Sequence, residues 1–193
     1  MKDFDEQKRL CLEKLYLPDK SRKGDVDIPI IPLIDYINSL NNYYTTSSCS
    51  GRIMLLTHVD KKPDVQWLLA SHEVVTCDAV LGILHKDLPK ETVWLREENL
   101  ILHVVCRTME DADNLLRIVR DIGLRRSGII ADSNLFIVEI CSTEKMDVPL
   151  TSLGKLIVDD SYIIFVVDIA NQKFVKGQEK LQSLEKEIRE KLG

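Results

Sequence analysis

Residues 108–123 constrain the fold of this chain more than any other stretch. Ala112, Leu115, Leu116, Val119 and Ile122 draw one apolar stripe along a helix over residues 109–122. Thr108 followed by Asp111 is a capping-box start, and Gly123 suits the left-handed turn that ends a helix. A helix with a single apolar stripe must lay it on a neighbouring surface, and strand patterns stand on both sides of it. In residues 100–107, Leu100, Leu102, Val104 and Cys106 share one face, while Ile101, His103, Val105 and Arg107 share the other. Residues 124–130 run into a second strand, which pairs with a third over 135–142.

The remaining pattern mixes helices and strands without regular βαβ alternation. Helices are read over 3–17 (Phe4, Cys11 and Leu15 at helical spacing, Pro18 as the stop), 32–40, 77–85 and 159–174. Strands are read over 43–48, 52–59, 65–71 and 92–95, the last forming a hairpin with 100–107 around Glu97-Glu98-Asn99. Alternation places Arg52, Met54, Leu56 and His58 on one strand face, Lys61-Lys62-Pro63-Asp64 reads as a loop, and residues 149–158 read as irregular to extended. Gly177 marks a bend before a last amphipathic stretch with Leu181, Leu184, Ile188 and Leu192, and i,i+4 pairs Glu185/Arg189 and Glu187/Lys191. The expected architecture is α+β, a mixed, mainly antiparallel sheet with packed helices. One domain is expected over 1–176, with an amphipathic C-terminal helix over 177–193 that docks on the body or on a second subunit.

A chain of 193 residues buries a real core without disulfide or metal staples. Its five cysteines are odd in number and spread out, with no C-x-x-C pair and no histidine at zinc-finger spacing, so reduced thiols and no metal site are expected. No apolar run approaches the roughly 20 residues of a membrane span, and the N-terminus lacks an apolar signal core, which points to the cytosol. The net charge of −5 argues against a protein that coats nucleic acid indiscriminately. A localised basic patch is compatible with it.

The chemistry concentrates in Ser47-Ser48-Cys49-Ser50-Gly51-Arg52. Small side chains let a ligand approach the backbone, glycine lets successive N–H groups converge on an anion, and arginine adds a planar fork for a carboxylate or phosphate. The same letters also make a plain turn. They are neither a Walker loop nor a G-x-G-x-x-G fingerprint. His72 follows Ser71 at a strand end, and His103 shares a face with Arg107 and could point into a pocket beside that cation. Arg125-Arg126-Ser127-Gly128 repeats the arginine, hydroxyl and glycine chemistry just past a helix end. With Arg52 and Arg107 it offers the localised positive patch, and Lys20, Arg22 and Lys23 offer a further backbone contact. A Ser–His–acid hydrolase can be written from Ser48 or Ser50, His103 or His72, and Glu139, without a G-x-S-x-G elbow to support it.

Taken in order, these motifs resemble one family. The serine-rich loop, Trp67 with Ser71-His72, Leu102-His103-Val104 with Cys106-Arg107, and Gly123-Leu124-Arg125 with Ser127-Gly128-Ile129 carry the likeness, with Pro149-Leu150 and Ala170-Asn171. The chain resembles the wybutosine-synthesis methyltransferases, in the short archaeal form, from about Phe4 to Phe174, with the C-terminal helix outside the match. The resemblance implies an enzyme that moves a methyl group from S-adenosylmethionine to N4 of a tricyclic wyosine precursor in the anticodon loop of phenylalanine tRNA. It also implies a fold other than the doubly wound methyltransferase sheet. On that reading Ser48, Ser50, Gly51 and Arg52 hold the cofactor carboxylate or an RNA phosphate, and Trp67 stacks on adenine or on the flipped base. His72 or His103 takes the proton, and Arg125, Arg126 and Ser127 meet the RNA. The loop, both imidazoles and the paired guanidinium groups are expected to line one cavity. The alternative is a non-catalytic RNA- or nucleotide-binding module that uses the same loop.

Overall fold

A computed structural model of the chain describes residues 3–17, 26–57, 65–132 and 135–193; Lys20, Arg22, Lys23, His58 and the 61–64 loop lie outside these. In chain order the elements are α1 (Phe4–Leu15), α2 (Ile31–Ser39), β1 (Tyr43–Cys49), β2 (Arg52–Thr57), β3 (Trp67–Ser71), α3 (Cys77–Leu84), β4 (Val93–Glu98) and β5 (Ile101–Cys106). There follow α4 (Met109–Asp121), β6 (Gly128–Asp132), β7 (Leu135–Cys141), β8 (Lys145–Pro149), β9 (Thr151–Ser152), β10 (Lys155–Leu156) and α5 (Asp160–Leu192). Every strand pairing is antiparallel, so the α+β class read from the sequence holds. The chain forms two compact units: Met1–Ser50, Leu100–Thr143 and Glu179–Gly193 make the first, Gly51–Asn99 and Glu144–Gln178 the second.

The first unit is a four-stranded sheet in the order β1-β5-β7-β6. One face carries Tyr43, Leu102, Val104, Cys106, Val138 and Ile140 into a core shared with α2, α4 and the last part of α5. Helix α4 is as its letters dictate. The Thr108 hydroxyl accepts from the Asp111 N–H, the Asp111 side chain accepts from the Thr108 N–H, and Gly123 turns the chain away at φ +91°. Ala112, Leu115 and Val119 are fully or almost fully buried.

The second unit is a sheet in the order β3-β2-β4-β8. Ile53, Leu55, Val93 and Leu95 face Val80 and Leu84 of α3 and Ile163, Val166, Val167, Ala170 and Phe174 of α5. Thr76 caps α3 by accepting from the Ala79 N–H. Asn171 holds the segment before α3 by a two-way clamp, its amide donating to the Val75 carbonyl at 2.8 Å and accepting from the Val75 N–H at 2.9 Å.

Three expectations change. Residues 92–95 and 100–107 are not a hairpin: β4 belongs to one sheet and β5 to the other. Val93 and Leu95 extend an alternation that continues through Glu97, so the acidic pair read as a turn is strand, paired with β2 and β8. Likewise β1 and β2 lie in different sheets, so the serine-rich segment is no hairpin turn. The irregular-to-extended reading of 149–158 fits: the stretch holds the end of β8 and a hairpin of the two-residue strands β9 and β10. Leu153 at φ 51° and Gly154 at φ 75° give that hairpin its tight turn.

Gly177 does not bend the chain either; α5 runs through it from Asp160 to Leu192. A β carbon there would lie 1.4 Å from Asn99 Oδ1, so the glycine makes room for a buried side chain whose amide donates to the Lys173 carbonyl at 3.4 Å. Gly82 of α3, by contrast, faces open space, with nothing within 4 Å of the same position. The two glycines therefore respond oppositely to alanine in urea-unfolding titrations. Gly82→Ala gains about 0.5–1 kcal/mol of helix stability. Gly177→Ala loses about 1–3 kcal/mol because Asn99 must leave its place.

Candidate functional site

Antiparallel register builds a polar row across the first unit's sheet. Ser47 on β1 stands opposite His103 on β5, which stands opposite Glu139 on β7. Ser47 Oγ lies 3.1 Å from His103 Nδ1, and His103 Nε2 lies 2.8 Å from Glu139 Oε2. An ionised carboxylate only accepts, so His103 Nε2 donates to Glu139. His103 and Glu139 are partly exposed and Ser47 is exposed. The next row is Cys49, Ile101 and Cys141. Burial pushes the Cys141 thiol above its usual range, Glu139 pushes it further, and the Arg126 charge opposes both. Arg126 therefore acts electrostatically at the edge of the polar row.

Arg125 and Arg126 are exposed at the turn after α4. Ser127 is buried, and its hydroxyl accepts from the Cys141 N–H at 3.1 Å while its carbonyl accepts from Arg120 at 3.1 Å. The serine is used to fix the turn. Arg107 is not a cation held toward His103. Its fork closes on Asp5, with Nη1 at 3.1 Å from the carboxylate, and its guanidinium lies 4.3 Å from the Phe4 ring centroid. Ser48 is partly exposed on β1. Ser50 is fully buried and donates to the Asp27 carboxylate from its N–H at 2.6 Å and its hydroxyl at 3.1 Å. The anion that this loop gathers at Ser50 is thus one of the chain's own side chains.

The second unit assembles Gly51, Arg52, Trp67 and His72. Gly51 has φ +108°, and a β carbon would lie 3.1 Å from the Glu98 carbonyl oxygen, so a close backbone approach and the left-handed angle both demand glycine. His72 is exposed, with Nδ1 2.8 Å from the Gly51 carbonyl. A carbonyl only accepts, so Nδ1 carries the hydrogen and donates to it. The Arg52 guanidinium stacks 4.9 Å from the Trp67 ring centroid and reaches Glu98 at 3.4 Å. Trp67 is 47% exposed, which removes it from the core. Arg52 Nε is buried with no partner among the described residues, a donor in want of an acceptor.

The chain matches the family described as "Methyltransferase TYW3" over residues 6–190. It belongs to the TYW3 methyltransferase family. The match takes in most of the C-terminal helix, which the sequence motifs had left outside. A Thermococcus sibiricus protein named "tRNA(Phe) 7-((3-amino-3-carboxypropyl)-4-demethylwyosine(37)-N(4))-methyltransferase" is 43% identical over 190 residues, covering 97% of this chain and 95% of that protein. The Homo sapiens "tRNA wybutosine-synthesizing protein 3 homolog" is 36% identical, covering 93% of this chain and 70% of that protein. Among solved structures, the PH1069 protein from Pyrococcus horikoshii superposes with a TM-score of 0.87 at 40% identity, covering 96% of each chain. A hypothetical protein from Aeropyrum pernix gives 0.72 at 26% identity over 85% of this chain and 98% of that one.

In this TYW3-family chain the structure adds residues that the letters did not single out. Ser47 takes the place on His103 that Ser48 or Ser50 was expected to fill, and Asp27 arrives from 23 positions upstream with no local signal. Glu97 is the third. It is fully buried on the apolar face of β4, and neither carboxylate oxygen has a hydrogen-bond partner among the described residues. Alternation through Val93 and Leu95 is the signal that points it inward. Burial, partly offset by Lys173, pushes its pKa up to about 7. A carboxyl raised in the folded state costs stability as pH climbs from the ordinary glutamate range to that value. Glu97→Gln is therefore expected to match the wild type near pH 4 and to exceed it at pH 8, by on the order of 3 kcal/mol at most, in urea titrations at the two pH values.

Proposed function

We propose that this chain methylates N4 of a wyosine-type precursor base in phenylalanine tRNA, with S-adenosylmethionine as the donor, in the cytoplasm. The observation that carries the reading is an imidazole, His103, held between a hydroxyl and a carboxylate in a chain of a methyltransferase family. Support for the substrate comes from the relatives, whose names specify N4 of a demethylwyosine in tRNA(Phe). No helix of the described residues is long and apolar enough to cross a membrane.

The second unit suits a carboxylate-bearing sulfonium nucleoside. Arg52 has a buried Nε with no hydrogen-bond partner among the described residues that can meet a carboxylate, and Trp67 offers an exposed indole on which an adenine stacks. Ser48, Ser50 and Gly51 shape the adjoining backbone, Ser50 through its bonds to Asp27. When bound, the cofactor supplies an electrophilic methyl group. Methyl transfer is an in-line displacement, so positioning provides much of the rate. The accepting ring nitrogen also gives up a proton, and the imidazoles of His103 and His72 are the acceptors assigned to it on this reading. Arg125 and Arg126 meet the RNA backbone, and Ser127 sets their turn.

Labelled S-adenosylmethionine with hypomodified phenylalanine tRNA tests the reaction: the tRNA becomes labelled, whereas a binding module retains the RNA and leaves it unlabelled. His103→Ala or His72→Ala lowers kcat by about 100-fold or more where that imidazole is the acceptor. An alanine at both positions that left turnover intact would remove the acid–base role. Arg125→Ala and Arg126→Ala raise KM for tRNA with kcat unchanged, and each lowers the slope of log affinity against log salt by about 1.

A further inference from the structure

The buried face of the second unit's sheet holds polar groups that the methyl transfer does not use. Glu97 on β4 is fully buried, and both of its carboxyl oxygens lack a hydrogen-bond partner among the described residues. Two positions on, Asn99 is 8% exposed, and its Oδ1 has no partner there either. The Asn99 amide donates to the Lys173 carbonyl at 3.4 Å, and its Oδ1 fills the place where a side chain at position 177 would begin. Three buried acceptor atoms thus lie on the side of β4 that α5 covers, with no donor for any of them among the described residues. Left unsatisfied, such a set costs stability.

One proton removes most of the deficit. A neutral Glu97 carboxyl is a donor, and Asn99 Oδ1 is an acceptor that lacks one on the same face. An ionised Glu97 only accepts, so it needs a cation instead. Lys173 on α5 is the positive charge that acts on Glu97 against burial. Its ammonium is already engaged, 2.6 Å from Glu144 Oε2, with the two side chains 30% and 29% exposed. The other charges that act on Glu97 are Glu144 and Glu98, both negative, and Glu98 is met by Arg52 at 3.4 Å and Arg96 at 3.7 Å. Lys145 and Asp147 of β8 stand opposite Glu98 and Arg96, on the other face of the sheet. From α3, the Cys77 thiol packs against this core, and β2 places Ile53 opposite Glu97. A single ammonium group is therefore set between two carboxyl groups.

We propose that Glu97 and Glu144 compete for Lys173, and that the tie between α5 and the start of β8 is a latch set by one proton. With Glu97 neutral, Lys173 holds Glu144, and the Glu97 carboxyl donates to Asn99. When Glu97 ionises, its O–H bond breaks, the electron pair stays on the carboxylate and the proton leaves to water. Lys173 then turns to Glu97, and Glu144 loses it. Glu144 directly precedes Lys145, the first residue of β8, and β8 is an edge strand of this sheet. Ionisation thus removes the Lys173 tie that joins this edge to the helix. Because burial pushes the Glu97 carboxyl up to about 7, the latch is closed below neutrality and released above it.

Nuclear magnetic resonance of the whole chain, with labelled glutamate carboxyls and lysine side-chain nitrogens, reads the latch without tRNA or cofactor. Glu97 titrates near neutrality, and the Lys173 Nζ and Glu144 carboxyl signals shift with the same midpoint. Glu97→Gln abolishes both shifts. Urea unfolding of Lys173→Met, Glu144→Gln and the double variant measures the pair itself. Its coupling is about 10-fold in the unfolding constant at about pH 5.5 and falls to about 2-fold or less at about pH 8.5. In the Glu97→Gln background the coupling keeps its full value at both pH values. Lys173 and Glu144 signals that ignore the Glu97 midpoint, or a coupling equal at both pH values in the wild-type background, overturn the latch. So does a Glu97 already ionised at about pH 5.5 or still neutral at about pH 8.5. Where the lysine variant does not fold, the wild-type titration decides alone.

Discussion

Antiparallel register is the constraint on which the polar row of the first unit depends. In β5 every second side chain belongs to the core, so His103 stands on the opposite face only while Leu102 and Val104 are buried. A slip of one residue against β1 or β7 would exchange the two sets and place an imidazole and a carboxylate among leucines and valines. The fully buried Leu102, Val104, Val138 and Ile140 thus fix the polar row more firmly than its own hydrogen bonds do. In this sheet, among the described residues, the bulge at Thr46 is the departure from this regularity, and it lies in the strand that carries Ser47 to the row.

The second unit shows the opposite arrangement, with polar groups on the buried face. Glu97 continues an alternation whose other members, Val93 and Leu95, are core. Beside it, Lys173 is drawn to Glu144 at 2.6 Å, and Asn99 reaches into the space left by Gly177. An acid buried this way sheds its charge more readily than its proton. Its surroundings are held by α5, whose apolar residues cover the same sheet.

The sequence was most informative where local signals and packing agree. The capping box and stripe of α4, the Thr76 start of α3 and the pairing of β6 with β7 follow from neighbouring letters. Connections between sheets were not legible, because an acidic pair before an asparagine reads as a turn whether the chain reverses or moves on. Only the cores decide, and Leu95 and Leu102 belong to different ones. Within the polar row, His103 and Glu139 stood out as chemistry, while Ser47, the serine that lies on His103, did not. Counting alternation across residues 45–48 sends Ser47 inward, and no letter announces the extra residue in the strand. Asp27 was hidden for another reason: its bond to Ser50 spans 23 positions, which local patterns cannot reach.

The charge balance explains how an acidic chain can still address RNA. Of the four arginines that promised a positive patch, Arg52 is met by Glu98 and Arg107 by Asp5. Each stacks on an aromatic ring, Trp67 or Phe4, so these cations serve local geometry. Arg125 and Arg126 are left exposed on a turn that Ser127 and Arg120 hold in place from below. On the proposed reading, a phosphate contact made from this fixed turn needs no large positive field, only guanidinium groups held at a set place. Here the turn runs straight into β6, and β6 pairs with β7 beside Glu139, so the same register that aligns the polar row also sets where the arginines stand.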